Sequence, residues 1–373
     1  MIDFRYHLVS LISVFLALAV GIALGAGPLK ESIGDTLTGQ VDQLRAEKDD
    51  MRLELDRATG ALANQQAALA AVAPDLVDGI LPGRRVAVVQ IGAVDAAVVD
   101  GVVAQLTDAG ATVSAQVMVT DEWTDPARAA FRGTLASTLV GYLDPRPAAD
   151  AGSAVELAEA LVQALTTADP TNVDAISENA GVLLDLLSGD AGLITVDGSI
   201  ETAADAVVVL AGPVVAEDPD APLDTVDAES TATAEPSATT AAPTPDATTD
   251  QETTTEQADA VTQIAQVAQA RSTGVVVAGG TTDEPGVLHT LRSTSDVATV
   301  VATIDNVQLF AGQVSVPMAL SAKIAGTVGH YGVGDLTTAV MPRRIVLEML
   351  ERAQPAAEPS GATTDAPPAA PEG

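Results

Sequence analysis

Twenty consecutive residues near the N-terminus, Leu8 to Gly27, carry no charge. As an α-helix this stretch is about 30 Å long, which matches the hydrocarbon core of a bilayer. Only Ser10 and Ser13 are polar in it, and a serine hydroxyl can bond back to the preceding turn of a helix. The chain is therefore predicted to have a short leader, residues 1–7, and one transmembrane helix, residues 8–27.

A cleaved signal peptide is the competing interpretation of this stretch. Arg5 would be its charged start and Gly25-Ala26-Gly27 its small-residue cleavage site. The apolar cores of signal peptides usually run about 7–15 residues, so length favours a retained anchor. Because Arg5 precedes the span and Lys30 is the only cation between it and Arg45, the N-terminus is predicted to be cytoplasmic and the bulk extracytoplasmic, in the cell envelope.

The composition excludes several classes of function. The 373 residues hold 51 acidic and 17 basic side chains, a net charge of -34, which would repel nucleic acid. With no cysteine, the chain forms no disulfide, thiolate metal site or thiol nucleophile. The histidines and methionines lack ligand spacing, and no serine lies in a GxSxG motif. No catalytic residue, cofactor or metal ligand is predicted.

Residues 28–74 are predicted to form a coiled-coil stalk. An apolar residue recurs at heptad spacing with charged flanks, and the seam positions include Leu44, Met51, Leu55 and Leu62. The alternative is an amphipathic helix lying on the following domain, since Lys48 and Gln65 are polar for a seam. Single polar core positions often set register in such seams, which favours the coiled coil.

The span itself carries a second association signal. Gly21 and Gly25 form a GxxxG pattern, extended upstream by Ala17 into small-xxx-small spacing. Such a face lets two helix backbones approach closely in lipid. Joined to the heptad repeat, it predicts a parallel homodimer or a higher homo-oligomer.

From residue 75 the pattern predicts an α/β fold with a doubly wound, largely parallel sheet, in two parts, residues 75–215 and 260–350. The predicted strands are Arg85–Ile91, Thr112–Val119, Ala206–Leu210, Val275–Ala278 and Val297–Val301. The predicted helices are one capped by Asp95 and ending at Asp108, one opened by Asp125-Pro126, one to Thr167 with a Ser153/Glu156 capping box, Val173–Leu187, Ala258–Arg271, one opened by Glu284-Pro285, and Phe310–Ile324.

Two segments are predicted to be disordered. Residues 216–259 hold twelve acidic residues, no base, eleven threonines and five prolines, and cannot bury enough apolar surface to fold. Residues 351–373 form a Pro/Ala-rich tail. Because the strands on both sides of the acidic segment look alike, one interrupted domain is favoured over two.

Two glycine-rich motifs admit a functional and a plain structural interpretation. The stretch Gly279 to Gly286 lacks both GxGxxG and Walker lysine spacing, and its acidic residues would repel phosphate, so a turn with an acidic cap is favoured. The run Gly329-His330-Tyr331-Gly332-Val333-Gly334 is either a docking or ligand loop carrying His330 and Tyr331, or a turn whose ring groups satisfy the backbone.

The leader and span, Phe4-Arg5-Tyr6-His7-Leu8-Val9-Ser10-Leu11 followed by Val14 to Gly25, resemble the mycobacterial copper transport protein B family. The stalk, the interrupted α/β domain and the Gly-His-Tyr-Gly run are also similar, so the resemblance covers about residues 1–350. The linker is longer and more acidic than in a typical member. The resemblance implies an actinobacterial envelope protein of copper homeostasis, as a component of copper efflux or of a channel.

Some relatives in that family are instead linked to cell separation, as anchored partners of a septal factor and of a peptidoglycan hydrolase. The alternative function is therefore a bitopic coiled-coil scaffold that regulates cell-wall hydrolysis. An extracytoplasmic hydrolase is a third class, which would depend on His330 or a carboxylate pair. The sequence features by themselves predict a membrane-anchored, non-enzymatic protein with a dimer-forming stalk and a soluble α/β domain, called the head below.

Overall fold

Two helices make up the first part of the chain. The computed structural model describes the backbone of residues 4–26, 28–213, 247–280 and 286–352, and side chains for residues 6–23, 39–213, 255–280 and 286–352. The chain divides into two units, at residues 1–68 and 69–373. The first unit contains α1 (Phe4–Ala26) and most of α2 (Pro28–Val77).

Helix α1 has the character of a membrane span. Its window Tyr6–Ala23 has a mean hydropathy of 2.1, and within the described chain it is the one helix long and apolar enough to cross a bilayer. The Ser13 hydroxyl donates to the Val9 carbonyl oxygen at 2.8 Å, so the backbone satisfies it without solvent.

Helix α2 is longer than predicted at its C-terminal end. Pro74 was expected to stop it, yet the helix continues to Val77. Ala73 and Val77 are buried in the second unit, and the Asp78 N–H bonds to the Pro74 carbonyl at 2.8 Å. This packing compensates for the N–H that proline lacks. The coiled-coil seam on α2 stays a prediction.

The second unit is built on one seven-stranded sheet in the order β3-β2-β1-β4-β5-β6-β7, parallel except for β3. The fold class is thereby confirmed as α/β with a parallel-dominated sheet. The strands are β1 (Arg85–Ile91), β2 (Thr112–Val119), β3 (Ile194–Val196), β4 (Ala206–Ala211), β5 (Val275–Gly279), β6 (Ala302–Ile304) and β7 (His330–Tyr331). The helices are α3 (Ala96–Asp108), α4 (Ala129–Leu139), α5 (Ser153–Thr166), α6 (Glu178–Ser188), α7 (Ala247–Arg271), α8 (Val287–Ser293), α9 (Ser295–Ala298) and α10 (Phe310–Ile324).

Apolar cores lie on both faces of the sheet. Side chains of β1 alternate between the two cores. Val89 and Ile91 pack in the core that also contains residues of α5 and α7, whereas Val86 and Val88 pack in the core that contains residues of α3 and α10. All six residues of β4 are buried, as expected for a central parallel strand covered on both faces.

The elements with strong local sequence patterns have the bounds that were predicted for them. Strands β1 and β2 and helix α10 have the predicted bounds, and Asp95 caps α3 by accepting a hydrogen bond from the Ala97 N–H at 2.8 Å. These segments combine strong periodicity with clear caps or turn residues, so local sequence suffices to place them.

Two helix starts were predicted wrongly. The Ser153/Glu156 capping box does not form, because Gly152, at φ 82°, is the N-cap of α5. Helix α6 begins at Glu178 rather than Val173. The Asp169 carboxylate holds the preceding turn by accepting from the Thr171 and Asn172 amides, and this local bonding competes with helix formation.

Two strand assignments also need correction. The apolar run Val297–Val301 is not a strand, because its first residues complete helix α9 and the strand begins only at Ala302. Short apolar runs cannot be assigned by periodicity alone. The antiparallel edge strand β3 was not predicted, and its three residues give too short a pattern to detect.

The helix predicted to begin at Ala258 begins earlier, within the predicted acidic linker. Helix α7 begins at Ala247, and its described side chains Ala258, Val261 and Ile264 are buried. Packing of these residues outweighs the poor helix propensity of the threonines before them. The rest of that linker, residues 281–285 of the Gly279–Gly286 motif, and the tail from residue 353 lie outside the described residues.

Candidate functional site

The predicted oligomer-interface residues lie on the two N-terminal helices. Ala17 and Gly21 are exposed on α1, and Gly25 lies in the same helix. Leu44, Met51, Leu55 and Leu62 are exposed on α2. Large apolar side chains repeated along a solvent-facing helix match an unpaired seam, and the interface itself remains a prediction.

A half-buried glutamine, Gln257, lies where folds of this strand order bind ligands. The order reverses between β1 and β4, and ligands of open α/β sheets bind outside the carboxyl ends of the strands at such a point. Here the Gln257 Nε2 donates to the carbonyl oxygens of Ile91, at 3.1 Å, and Gly212, at 2.7 Å. A Cβ at Gly92, where φ is +78°, would overlap this amide. The Gln257 amide therefore lies between the carboxyl ends of β1 and β4.

The site that best combines buried charge with an exposed surface lies at the other side of the sheet, around β6 and β7. The side chains of Arg292 and Asp305 are both 0% exposed, and Arg292 Nη1 is 3.0 Å from Asp305 Oδ2. Arg292 also donates to the carbonyl oxygens of Tyr331, at 3.0 Å, and Asp335, at 2.9 Å. An ion pair this deep is stable only when its remaining donors and acceptors are bonded, as they are here.

Asp305 fixes the backbone that follows β7. Its carboxylate accepts hydrogen bonds from the Val333 N–H at 3.0 Å, the Gly334 N–H at 3.2 Å and the Asn306 side-chain amide at 2.7 Å. At Gly332, where φ is +130°, any Cβ would overlap the carboxylate, so only glycine fits. The glycines of the Gly-His-Tyr-Gly run thus let the chain wrap around a buried anion.

His330 is bonded inside the same network. Thr303 Oγ1 accepts from Arg292 Nε at 2.8 Å, so its hydroxyl proton is directed to His330 Nδ1 at 2.9 Å. Burial lowers the pKa of His330, the positive charge of Arg292 lowers it further, and the backbone carbonyl of Ala298 partly opposes both. The ring is therefore neutral at pH 7 and serves to hold the loop.

Neutral His330 predicts a pH-dependent stability. Its folded-state pKa lies below the unfolded value of about 6.5, so as the pH falls through 6.5 the unfolded chain takes up a proton that the folded chain refuses. We expect wild-type stability to fall more steeply from pH 7 to 5 than that of His330→Asn, by at most about 1.4 kcal/mol per pH unit. Urea denaturation at each pH measures this, with His289→Asn as the matched control. Parallel curves for wild type and His330→Asn would contradict the prediction.

The loop held by this network exposes apolar side chains. Val333 is 73% exposed, Leu336 52% and Val340 66%. Leu336 has a φ of +58°, a left-handed conformation that costs free energy for a leucine. A strained, internally anchored loop with apolar residues facing solvent is the type of surface that proteins use for docking. In the structure His330 and Tyr331 are buried, the His330 ring is bonded to the Thr303 hydroxyl, and their neighbours Val333 and Leu336 are exposed, while a docking role for His330 and Tyr331 stays a prediction.

Sequence reasoning found the loop but missed the pair that fixes it. Arg292 lies in a helix of buried apolar residues and Asp305 follows a three-residue strand, and neither position carries a motif. The sequence feature that could have indicated the pair is the single arginine, Arg292, in an otherwise largely apolar helix, because a buried arginine needs an acidic partner.

Metal-binding side chains are dispersed across the described part of the chain. There, no group of three or more His, Asp or Glu side chains could hold a metal ion. Met318 is buried in the core with α10, whereas Met51, Met118 and Met349 are exposed on separate elements.

A separate cavity of about 220 Å³ lies between the loop after β2 and helices α4, α5 and α7. Trp123 and Leu157 form its apolar wall, and Arg132, Glu256 and Asp259 line it with charge. The Arg132 Nη1 already donates to the carbonyl oxygens of Glu122 and Asp125.

The class defined by these features is an α/β protein with a parallel-dominated sheet, one N-terminal helix apolar enough to cross a membrane, and an anchored apolar loop. The family model described as "Copper transport outer membrane protein, MctB" matches residues 1–342, so the chain belongs to the MctB family. Proteins named copper transporter MctB from Mycobacterium tuberculosis (strain ATCC 25618 / H37Rv) and Mycobacterium bovis (strain ATCC BAA-935 / AF2122/97) are each 29% identical to it over 353 residues. The alignments cover 90% of this chain and 97% of each relative. Their names describe transporters and not enzymes.

Proposed function

We propose that this protein is a single-pass envelope protein of copper homeostasis, acting in copper efflux or as a channel component. The observation that carries the proposal is the family match over residues 1–342, which takes in the apolar helix, the stalk and the α/β head together. The resemblance first seen in the leader thus extends over nearly the whole described chain, and the relatives share the copper transporter name.

The membrane helix limits how copper could cross. Apart from Ser10 and Ser13 the span is apolar, and the Ser13 hydroxyl is bonded to its own helix. One span therefore offers no polar path, and conduction requires several copies of α1 around a common axis. The small-residue face at Ala17, Gly21 and Gly25 supports such an assembly. The head, with its acidic surroundings, lies on the extracytoplasmic side and collects cations before or after transfer.

The alternative of a scaffold that regulates cell-wall hydrolysis through septal or cell-wall partners gains no support from the comparisons. No catalytic role is proposed for His330, since its ring is buried and its Nδ1 is bonded to the Thr303 hydroxyl.

A deletion strain tests the copper assignment. We expect it to become copper-sensitive while dividing normally, and to regain tolerance when the full-length gene is returned. Growth across a copper series measures the effect, and a zinc series in the same strains is the control. Chained cells with ordinary copper tolerance would contradict copper homeostasis and support the scaffold. Complementing the deletion strain with the Arg292→Met variant tests whether copper tolerance depends on a stably folded head.

A further inference from the structure

The end of the described chain forms an exposed apolar strip, defined here by Val333, Leu336, Val340, Val346 and Met349. Val333 and Val340 line one small cavity of about 80 Å³ with Met341, so the loop after β7 and the segment that follows it are in contact. Val346 is 55% and Met349 65% exposed. Five large apolar side chains thus face solvent along 17 residues of one segment, and exposed apolar clusters of this kind mark interaction sites.

The strip is fixed on the α/β head and is not a loose end. The Leu347 N–H bonds to the Ile80 carbonyl at 3.2 Å, and the Arg344 guanidinium donates to the Asp78 carbonyl at 2.9 Å. The Arg352 side chain bonds to the Gly83 carbonyl at 2.9 Å and to the Asp205 carboxylate. The segment therefore runs beside residues 78–83, which directly follow helix α2.

The charge of the strip, compared with that of the whole chain, indicates which partner it binds. The chain carries -34 overall, so two copies repel each other over most of their surface. Residues 333–352 differ, because they hold three acidic residues, Asp335, Glu348 and Glu351, and three arginines, Arg343, Arg344 and Arg352. A neutral apolar strip on a strongly acidic protein is a place where two copies can touch without net repulsion.

The order of these charges is self-complementary. Arg343 and Arg344 precede Val346, whereas Glu348 and Glu351 follow it, and all four charged side chains are exposed. When two copies of the segment run antiparallel about a two-fold axis near Val346, each arginine pair faces the glutamates of the other copy. Isologous contacts of this kind are the commonest in homodimers. An anionic membrane surface fits less well, because the same two glutamates would be repelled.

We propose that the apolar strip docks on the same strip of a second copy, antiparallel about an axis near Val346, with Arg343 and Arg344 facing Glu348 and Glu351 of that copy. The contact adds a head-to-head interface to the homodimer predicted from the span and the stalk. It rests on the assembly of copies in the proposed function, and not on copper itself.

Cysteine cross-linking of the full-length protein in its membrane tests the contact, since the native chain has no cysteine. We expect Val346→Cys to form disulfide-linked dimers with diamide, because residues at a two-fold axis meet within disulfide reach. Thr195→Cys, exposed on the edge strand β3, is the matched control and should stay monomeric. Leu44→Cys or Met51→Cys reports the stalk independently.

A charge swap makes the test specific. In the Val346→Cys background, Arg343→Glu with Arg344→Glu should lower the cross-linked fraction by about tenfold, because like charges would then face each other. Adding Glu348→Arg with Glu351→Arg should restore it. Linkage at Leu44→Cys with none at Val346→Cys would overturn the head contact while leaving the stalk dimer and the copper assignment standing. Absence of both links, or a Val346→Cys link that ignores the charge changes or joins another protein, would also overturn it.

Discussion

Replacing Arg292 with methionine is expected to lower the free energy of unfolding of the α/β head by about 3–5 kcal/mol, the usual cost of removing one partner of a buried ion pair. The variant leaves the Asp305 carboxylate buried without its counter-charge, and it removes the guanidinium donors that Arg292 supplies to the Tyr331 and Asp335 carbonyls. Urea denaturation of the detergent-solubilised chain measures the change. Trp123, the single tryptophan and a buried one, supplies the fluorescence signal.

An exposed ion pair provides the control for this prediction. Arg45 and Asp42 lie 3.3 Å apart on α2 with side chains 73% and 65% exposed. Because exposed pairs contribute about 0–1 kcal/mol, Arg45→Met should leave the Trp123 transition where it is. Adding Asp305→Asn to Arg292→Met should recover part of the loss, since it removes the orphaned charge and keeps an oxygen that can accept from the Val333 N–H. A loss no larger than that of Arg45→Met would show that the buried pair does not hold the head together.

Trp123→Ala is expected to cost about 3–5 kcal/mol, as truncations of buried large aromatics do. Trp123 ends a short turn after β2, belongs to the core with α5 and α7, and is 6% exposed. It also forms one wall of the 220 Å³ cavity, so its removal enlarges a space that the neighbouring helices already leave open. The vacated volume therefore cannot be closed by a small adjustment of Leu157 alone.

Phe131→Ala is the matched aromatic control. Phe131 is 38% exposed, and its ring centroid lies 4.6 Å from the Arg128 guanidinium carbon. Losing an exposed cation–π contact costs about 0.5–1 kcal/mol. Far-UV circular dichroism through the urea transition compares the two variants, since Trp123→Ala lacks the fluorophore. Equal losses for both would indicate that Trp123 does not pack into the core as described.

Local sequence pattern determined much of the fold. Strand β2 and helix α10 were placed to the residue because their apolar periodicity and flanking turn residues act over a few positions. Errors occurred where the deciding interaction was a specific bond, as in the turn held by Asp169 before α6. A second kind of error occurred at α9, where the period of a short apolar run did not distinguish a strand from a helical turn.

The sequence by itself determined that an apolar helix lies near the N-terminus, that a long helix with apolar heptad positions follows, and that a largely parallel α/β domain comes next, because each depends on residues near one another along the chain. Only the tertiary structure decided that Arg292 pairs with Asp305, and that Gln257 reaches back to Ile91, 166 residues away, at the carboxyl end of β1. A side chain's type shows that it needs a partner, but which partner it meets depends on how the strands are ordered in space.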